Sequence, residues 1–153
     1  MIDKTMNGIT NIAGGLAGAV ALNILHESIK HLDHNAPRVD LVGEEALTKI
    51  AKGVGVQPLQ GNALYAATLA GDILSNALYY SLIGMGKKKH LLLRGAGYGL
   101  VAGAGALTLT KPMGLSDAPV TRTDKTKILT VAWYLFGGLV TALTIKELRK
   151  HLK

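Results

Sequence analysis

The sequence holds two sets of polar residues that could do chemistry, and the first is centred on Asp72. This residue carries the only charge between Gly53 and Gly86. Asn76 follows one helical turn later, and antiparallel helices of ordinary rise place Asn11 and Tyr98 at similar depths. We therefore expect a polar group of Asn11, Asp72, Asn76 and Tyr98 inside apolar surroundings, where a charged aspartate costs about 2.5 to 3.5 kcal/mol.

Two interpretations of Asp72 stay open at this stage. A carboxyl group that is hydrogen-bonded to a neighbour such as Tyr98 would be structural, whereas a carboxylate on a water-filled path would attract cations or carry protons. Arg94 is the only charge between Leu91 and Thr110. It either extends to the lipid headgroups or turns inward towards Asp72.

The second set lies in the run NILHESIKHLDHN. If helix continues through this run, Glu27, His31 and His34 fall on one stripe, and their carboxylate and imidazole groups suit zinc or another divalent ion. The alternative is an ordinary helix end at a membrane surface, with solvated side chains. The zinc-protease pattern H-E-x-x-H is absent, because His26 and His31 are five positions apart.

Missing residue types and motifs exclude several classes of protein. The chain has no cysteine, which excludes disulfides, thiolate metal sites and cysteine nucleophiles. It also lacks the serine-hydrolase elbow, the phosphate-binding loop and the dinucleotide-binding motif, so we expect no cofactor. The formal net charge is +7, but the basic residues flank apolar runs, a pattern that favours contact with phospholipid and not with nucleic acid.

The elements that carry these residues are predicted to be membrane helices. Hydrophobic residues make up 48% of the chain, yet only 5% are aromatic and 19 are glycine, a mixture that suits closely packed helices in lipid. Four runs reach the roughly 20 residues that span a bilayer, at about 6–30, 59–85, 91–110 and 128–147. The sequence thus predicts one all-α domain over residues 1–153, an antiparallel bundle of four transmembrane helices.

The loop over residues 31–58 is the largest segment outside these runs. Within it, GEEALTKIAKG places Ala46, Leu47 and Ile50 on one face of a helix. We predict a short amphipathic helix that lies on the membrane surface.

Glycines recur at every fourth position in two of the predicted helices. Such faces let helix backbones approach closely, as a packing contact within one chain or as an oligomer interface. They are formed by Gly14 and Gly18, and by Gly95, Gly99 and Gly103.

The positions of Lys and Arg predict the orientation in the membrane. A triple lysine fills the short loop at Lys87–Lys89, and four basic residues follow the last helix. Because basic residues in short loops favour the cytoplasmic side, we expect both termini to be cytoplasmic, in a bacterial inner membrane.

Three functional classes remain. The first is a small structural or accessory membrane protein that acts through helix packing, as a homo-oligomer or in a larger membrane complex. The second is a small oligomeric channel or transporter with Asp72 on its pathway. The third is a membrane-embedded enzyme that modifies lipids, with the His26–His34 segment at the interface.

Overall fold

The computed structural model describes the backbone of residues 2–151 and the side chains of residues 6–151, and this part of the chain folds into helices without any strand. The helices are α1 (Ile2–Ile29), α2 (Val39–Gly53), α3 (Gly61–Ser81), α4 (Leu91–Thr108), α5 (Ala118–Thr121) and α6 (Asp124–His151). Single 3₁₀ turns at Leu82–Gly84 and Lys88–His90 join α3 to α4.

Three of the helices are long and apolar enough to cross a membrane, which indicates an integral membrane protein. The apolar segments are Met6–Ile29, Lys88–Thr108 and Asp124–His151. Helix α3 has 21 residues, but with Asn62, Asp72 and Asn76 it is not among these apolar segments. The predicted four-span bundle is therefore established in part, and a crossing by α3 stays a prediction.

Helix α6 lies at the centre of the packing. It contacts both α1 and α4 along most of their length, and α1 also packs against α3. The neighbours run antiparallel: Gly18 near the middle of α1 meets Thr141, and Gly14, one turn earlier, meets Ile145. Helices α3 and α4 meet through their tyrosines, where the rings of Tyr79 and Tyr98 lie 5.4 Å apart.

The three glycines of α4 lie directly against the backbone of α6. A Cβ atom built on Gly95 would lie 2.7 Å from the carbonyl oxygen of Gly138. On Gly99 it would lie 2.6 Å from Cα of Leu135, and on Gly103 2.7 Å from Cα of Val131. These distances are shorter than real Cβ contacts, so only glycine fits this approach of the two helices.

Helix α1 approaches two helices through glycine. A Cβ atom on Gly14 would collide with the side chain of Ile145, and one on Gly18 with the hydroxyl of Thr141. Gly15 faces the other way, and a Cβ atom there would collide with the carbonyl oxygen of Ala77 on α3. All of these contacts lie within one chain.

Helix α6 begins four residues before the uncharged run that predicted it. Thr123 explains the difference, because its hydroxyl oxygen accepts a hydrogen bond from the backbone N–H of Thr126 at 3.1 Å. Asp124 in the first turn pairs with Lys127 at 3.0 Å. Capping and an ion pair thus extend the helix into polar sequence that the apolar pattern assigns to the loop.

Helix α2 occupies the loop in which a surface helix is predicted. It packs on α3, where Gly43 approaches the methyl group of Thr68. Lys49 of α2 donates a hydrogen bond to the carbonyl oxygen of Gly114, and Glu45 accepts one from the backbone N–H of Ser116 at 2.9 Å. Contact of α2 with a membrane surface stays a prediction.

The two ends of the bundle differ in charge. We call the end formed by the α3–α4 connection and the last turns of α6 the basic end, and the opposite one the loop end. Among residues 6–151, seven basic residues and one acidic residue lie at the basic end, against eight basic and seven acidic residues at the loop end. Six loop-end cations form ion pairs: Lys30, Arg38, Lys49, Lys111, Lys125 and Lys127.

Replacing Gly99 with alanine is expected to destabilise the protein by about 1 to 3 kcal/mol, because the added methyl group meets the backbone of α6. The measurement is the free energy of unfolding in detergent micelles. Gly97 on the same helix is the matched control, since a Cβ atom there meets nothing within 4 Å and alanine should be neutral or stabilising by up to about 1 kcal/mol. Equal stabilities of the two variants would contradict the close packing of α4 on α6.

Candidate functional site

The predicted polar group around Asp72 is divided between different places. Asp72 and Asn76 line the same two cavities, as their spacing of one helical turn implies. Asn11 lies at the basic end, where its side-chain oxygen accepts a hydrogen bond from Arg149 at 2.7 Å. Tyr98 stacks on Tyr79 and accepts, through its backbone oxygen, a hydrogen bond of 3.0 Å from the Tyr79 hydroxyl.

Arg94 does not turn inward towards Asp72, and its extension to lipid headgroups stays a prediction. Its guanidinium donates to the carbonyl oxygens of Ile83 at 2.8 Å and Lys87 at 3.0 Å, in the connection between α3 and α4. Gly86 in this connection has a φ of 98°, a backbone conformation that favours glycine. Arg94 therefore fixes a tight turn at the basic end.

Glu27, His31 and His34 do not form the predicted metal site. Helix α1 ends at Ile29, so His31 and His34 lie in the turns that follow and leave the stripe that a longer helix would have kept. Glu27 instead pairs with Lys30 at 2.8 Å. Within residues 6–151, no group of three His, Asp or Glu side chains is arranged to hold a metal ion.

A buried cluster of charged side chains stands where α1 ends beneath α2. We call it the ion cluster, and it is formed by His26, Glu27, Lys30, Arg38 and Asp40. Asp40 is only 6% exposed and lies in the first turn of α2. Its carboxylate accepts from Arg38 at 2.8 Å and lies 3.3 Å from the Lys30 ammonium.

His26 stands between two carboxylates of the ion cluster. Its Nε2 atom lies 3.5 Å from Asp40 and its Nδ1 atom 3.6 Å from Glu27. His26 is only 4% exposed, and its Nε2 atom makes no hydrogen bond in the described part of the chain. The imidazole therefore lies inside the bundle, away from its outer surface.

Sequence reasoning missed the ion cluster because its members come from two segments of the chain, 26–30 and 38–40. The pairing of Glu27 with Lys30 could have been read from their spacing of three positions on a helix. Asp40 follows the turn after Pro37, and an acidic residue in a loop is ordinarily solvated. Its burial depends on α2 folding back over α1, which no local pattern predicts.

Electrostatics at Asp40 favour the ionised carboxylate. Burial alone would raise the pKa of Asp40, but the positive charge of His26 and the hydrogen bonds and charge of Arg38 outweigh it and hold that pKa well below its usual value. The position of Asp40 at the N-terminal turn of α2 adds a favourable helix dipole.

Two small cavities connect the ion cluster to Asp72. Each has a volume of about 10 Å³, close to the space for one water molecule. Both are bordered by Asn23, His26 and Asp72. Thr68 borders one of them with a buried hydroxyl that has no hydrogen-bond partner among the described residues. Polar walls of this kind suit single bound waters.

A much larger cavity opens from Asp72 towards the outside of the bundle. We call this cavity, of about 460 Å³ between α2, α3 and α4, the lateral groove. Apolar residues such as Val42 and Ala106 line most of it, and the side chains with polar groups are Asp72, Ser75, Asn76, Tyr79, Thr110 and Tyr134. The Thr110 hydroxyl is buried and has no hydrogen-bond partner in the described part of the chain.

The mouth of the lateral groove is apolar. It is bordered by Val101, Leu109 and Met113, each of which is more than half exposed. A molecule could therefore enter the groove from a lipid phase and reach the carboxyl group of Asp72 without crossing water.

The interior between Asp72 and the basic end is filled by large side chains. Tyr80, Ile83 and Ile145 are fully buried there. The Tyr80 hydroxyl donates to the backbone oxygen of Tyr134 at 2.7 Å. This packing separates Asp72 from the basic end.

Comparison of the chain with protein-family models, curated proteins and solved structures finds no match in any of the three.

Replacing Asp40 with asparagine is expected to lower the free energy of unfolding at pH 7 by about 1.5 to 3 kcal/mol, because it removes the anion that pairs with Arg38 at 2.8 Å and lies 3.3 Å from the Lys30 ammonium. The folded-state pKa of Asp40 is depressed, so its contribution is complete above the unfolded value of about 3.9 and is lost as the pH falls below it. The stability difference between wild type and variant should therefore shrink in acid.

The matched control is Asp124→Asn, which removes a carboxylate that is 92% exposed. It should change the stability by less than about 1 kcal/mol. If the two variants behave alike, Asp40 is not the anchor of the ion cluster.

Proposed function

We propose that this chain is a small accessory protein of a bacterial inner membrane that binds an amphipathic molecule from the bilayer. The observation that carries the proposal is the lateral groove, an apolar cavity of about 460 Å³ that ends at Asp72. Ligand sites are mostly apolar concavities of this size with a few polar groups that fix the orientation.

The proposal includes α3 as a fourth transmembrane helix. Its 21 residues reach about 30 Å, the thickness of the hydrocarbon layer. The outer face is apolar, with Ala66, Ala70, Leu74 and Leu78 exposed at every fourth position. Asp72 and Asn76 border interior cavities instead, so the polar side chains that lower the hydropathy of α3 need not contact lipid.

Four crossings would place both termini and Lys87–Lys89 on one side, which we propose is cytoplasmic. The short, lysine-rich connection between α3 and α4 supports this orientation. Helix α2 and the lateral groove would then lie towards the opposite side of the membrane.

The chemistry of the groove predicts the class of ligand. Its apolar walls suit a hydrocarbon chain, and the exposed apolar mouth suits entry from the bilayer. An ionised Asp72 accepts hydrogen bonds, and the amide of Asn76 both accepts and donates them. The head group that fits is therefore a donor such as an amine or a hydroxyl. A carboxylate head group would be repelled.

The arrangement gives less support to the other two functional classes. Conduction through one chain would have to pass Tyr80 and its buried neighbours between Asp72 and the basic end. Lipid chemistry at the His26 segment would need an imidazole that reaches a lipid, and His26 is only 4% exposed. An oligomer built on the glycine faces would need surfaces that α6 already covers.

Single cysteines introduced into this cysteine-free chain test the four crossings. Gln57→Cys and Ser116→Cys should react with an impermeant thiol reagent from one side of the membrane, and Lys87→Cys from the other, because α3 and α4 separate these positions. If Gln57→Cys and Lys87→Cys react from the same side, α3 does not cross. Ser116→Cys is the internal reference, since α4 alone separates it from Lys87.

Binding of dodecylamine, dodecanol and dodecanoate, measured by native mass spectrometry, tests the ligand. The amine or the alcohol should bind at least roughly tenfold more tightly than the acid, which corresponds to about 1.4 kcal/mol. Asp72→Asn should remove the discrimination against the acid while the protein still folds.

Blocking the groove provides the control for binding at that place. Ala106→Phe puts a large side chain into the groove and should weaken binding of the preferred amphiphile by roughly tenfold or more. Ala104→Phe makes the same change on the outer face of α4 and should leave binding unchanged. Equal affinities of the two variants would place the amphiphile outside the groove and overturn the proposal.

A further inference from the structure

A second cavity lies at the basic end, on the opposite side of the bundle's packed centre from the lateral groove. It has a volume of about 440 Å³ and stands between the first turn of α4 and the last turns of α6. We call it the basic pocket, and it is lined by Lys88, Lys89, Leu91, Lys146, Arg149 and Lys150. Of these six residues, which belong to the described part of the chain, five are cationic and none is acidic.

One wall of the basic pocket is fixed in place. Arg149 is only 9% exposed, and its guanidinium donates to the side-chain oxygen of Asn11 at 2.7 Å and to the backbone oxygen of Gly84 at 2.8 Å. These acceptors belong to α1 and to the turn after α3. The charge of Arg149 is therefore held by three segments of the chain, and is not a solvated cation at the end of a flexible side chain.

The remaining lysines surround that fixed charge with mobile donors. Lys89 and Lys146 are exposed, and Lys150 pairs with Glu147 at 2.7 Å on the outer surface of α6. Exposed ammonium groups beside the buried positive charge of a guanidinium suit the negative charge of a phosphate. The excess of positive charge at this end also raises the local concentration of anions.

The surroundings of the pocket point to a phosphate that is attached to a lipid. Leu92 and Leu93 on α4 are exposed directly beside the pocket, and Leu143 is exposed one turn away on α6. In a membrane-crossing bundle these apolar faces contact acyl chains. A phosphate in the pocket would thus stand at headgroup depth, with its chains against α4 and α6.

We infer that the basic pocket binds the phosphate group of an anionic phospholipid. The site is separate from the lateral groove, and its assignment does not depend on the ligand proposed there. It requires only that α4 and α6 cross the membrane, as their length and composition indicate.

Binding of phosphatidylglycerol and phosphatidylcholine to the purified protein in a nonionic detergent tests the inference. Phosphatidylglycerol should bind at least roughly tenfold more tightly than phosphatidylcholine. Lys89→Gln with Lys146→Gln should weaken phosphatidylglycerol binding by roughly thirtyfold, the loss expected for two lysines near an anionic headgroup. Both lysines are exposed, so the variant should keep the thermal stability of the wild type.

Lys125→Gln with Lys127→Gln is the matched control, because it removes the same charge from α6 at the loop end. It should leave the affinity for phosphatidylglycerol within about threefold of the wild type, a difference in binding free energy of less than about 1 kcal/mol. Equal losses in the two double variants would mean that net charge alone attracts the lipid, and would overturn the site.

Competition with inorganic phosphate tests whether the basic pocket binds the phosphate of a phospholipid or a free phosphate ion. At a concentration equal to that of the lipid, it should displace little phosphatidylglycerol, because it makes no contact with the apolar faces of α4 and α6. Displacement at equal concentration would show that the pocket takes a soluble phosphate, and would overturn the assignment to a phospholipid.

Discussion

The fold depends on the approach of α6 to glycine residues on two other helices. In lipid there is no hydrophobic force between helices, so association relies on van der Waals contact at short distance. Gly95, Gly99 and Gly103 of α4 bring that helix against the backbone of α6, and Gly14 and Gly18 of α1 do the same on another side. Because α6 takes part in both contacts, its position fixes where α1 and α4 can stand.

The space around Asp72 follows from this arrangement. Helix α3 packs on α1 and has few contacts with α6, so it stands beside the central packing. Tyr79 and Tyr98 close the gap between α3 and α4 on the side of the basic end. Towards the loop end the gap widens, and α2 covers part of it. Asp72 and Asn76 line this widened part, which places the polar face of α3 in a cavity instead of on the outer surface of the bundle.

The sequence predicts the helices well and their partners poorly. Uncharged runs of sufficient length locate α1, α4 and α6, and the one-turn spacing of Asp72 and Asn76 predicts their common cavity. The prediction that Asn11 lies at the depth of Asn76 was wrong. The contact of Gly15 with α3 sets the register of α1 so that Asn11 meets the turn at Gly84. The ion cluster was missed because its burial depends on α2, and apolar periodicity says nothing about how a loop helix folds back.

The central position of α6 has a consequence for biosynthesis. This helix leaves the ribosome after α1 and α4, yet it is the main partner of α4 and, together with α3, one of the two main partners of α1. Until α6 enters the membrane, the glycine faces of α1 and α4 have nothing to pack against, and Arg149 cannot reach Asn11 to join the two ends of the chain. The bundle is therefore completed only after α6 has been synthesised, and a chain that stops before Asp124 exposes two unpacked helix faces to the quality-control proteases of the membrane.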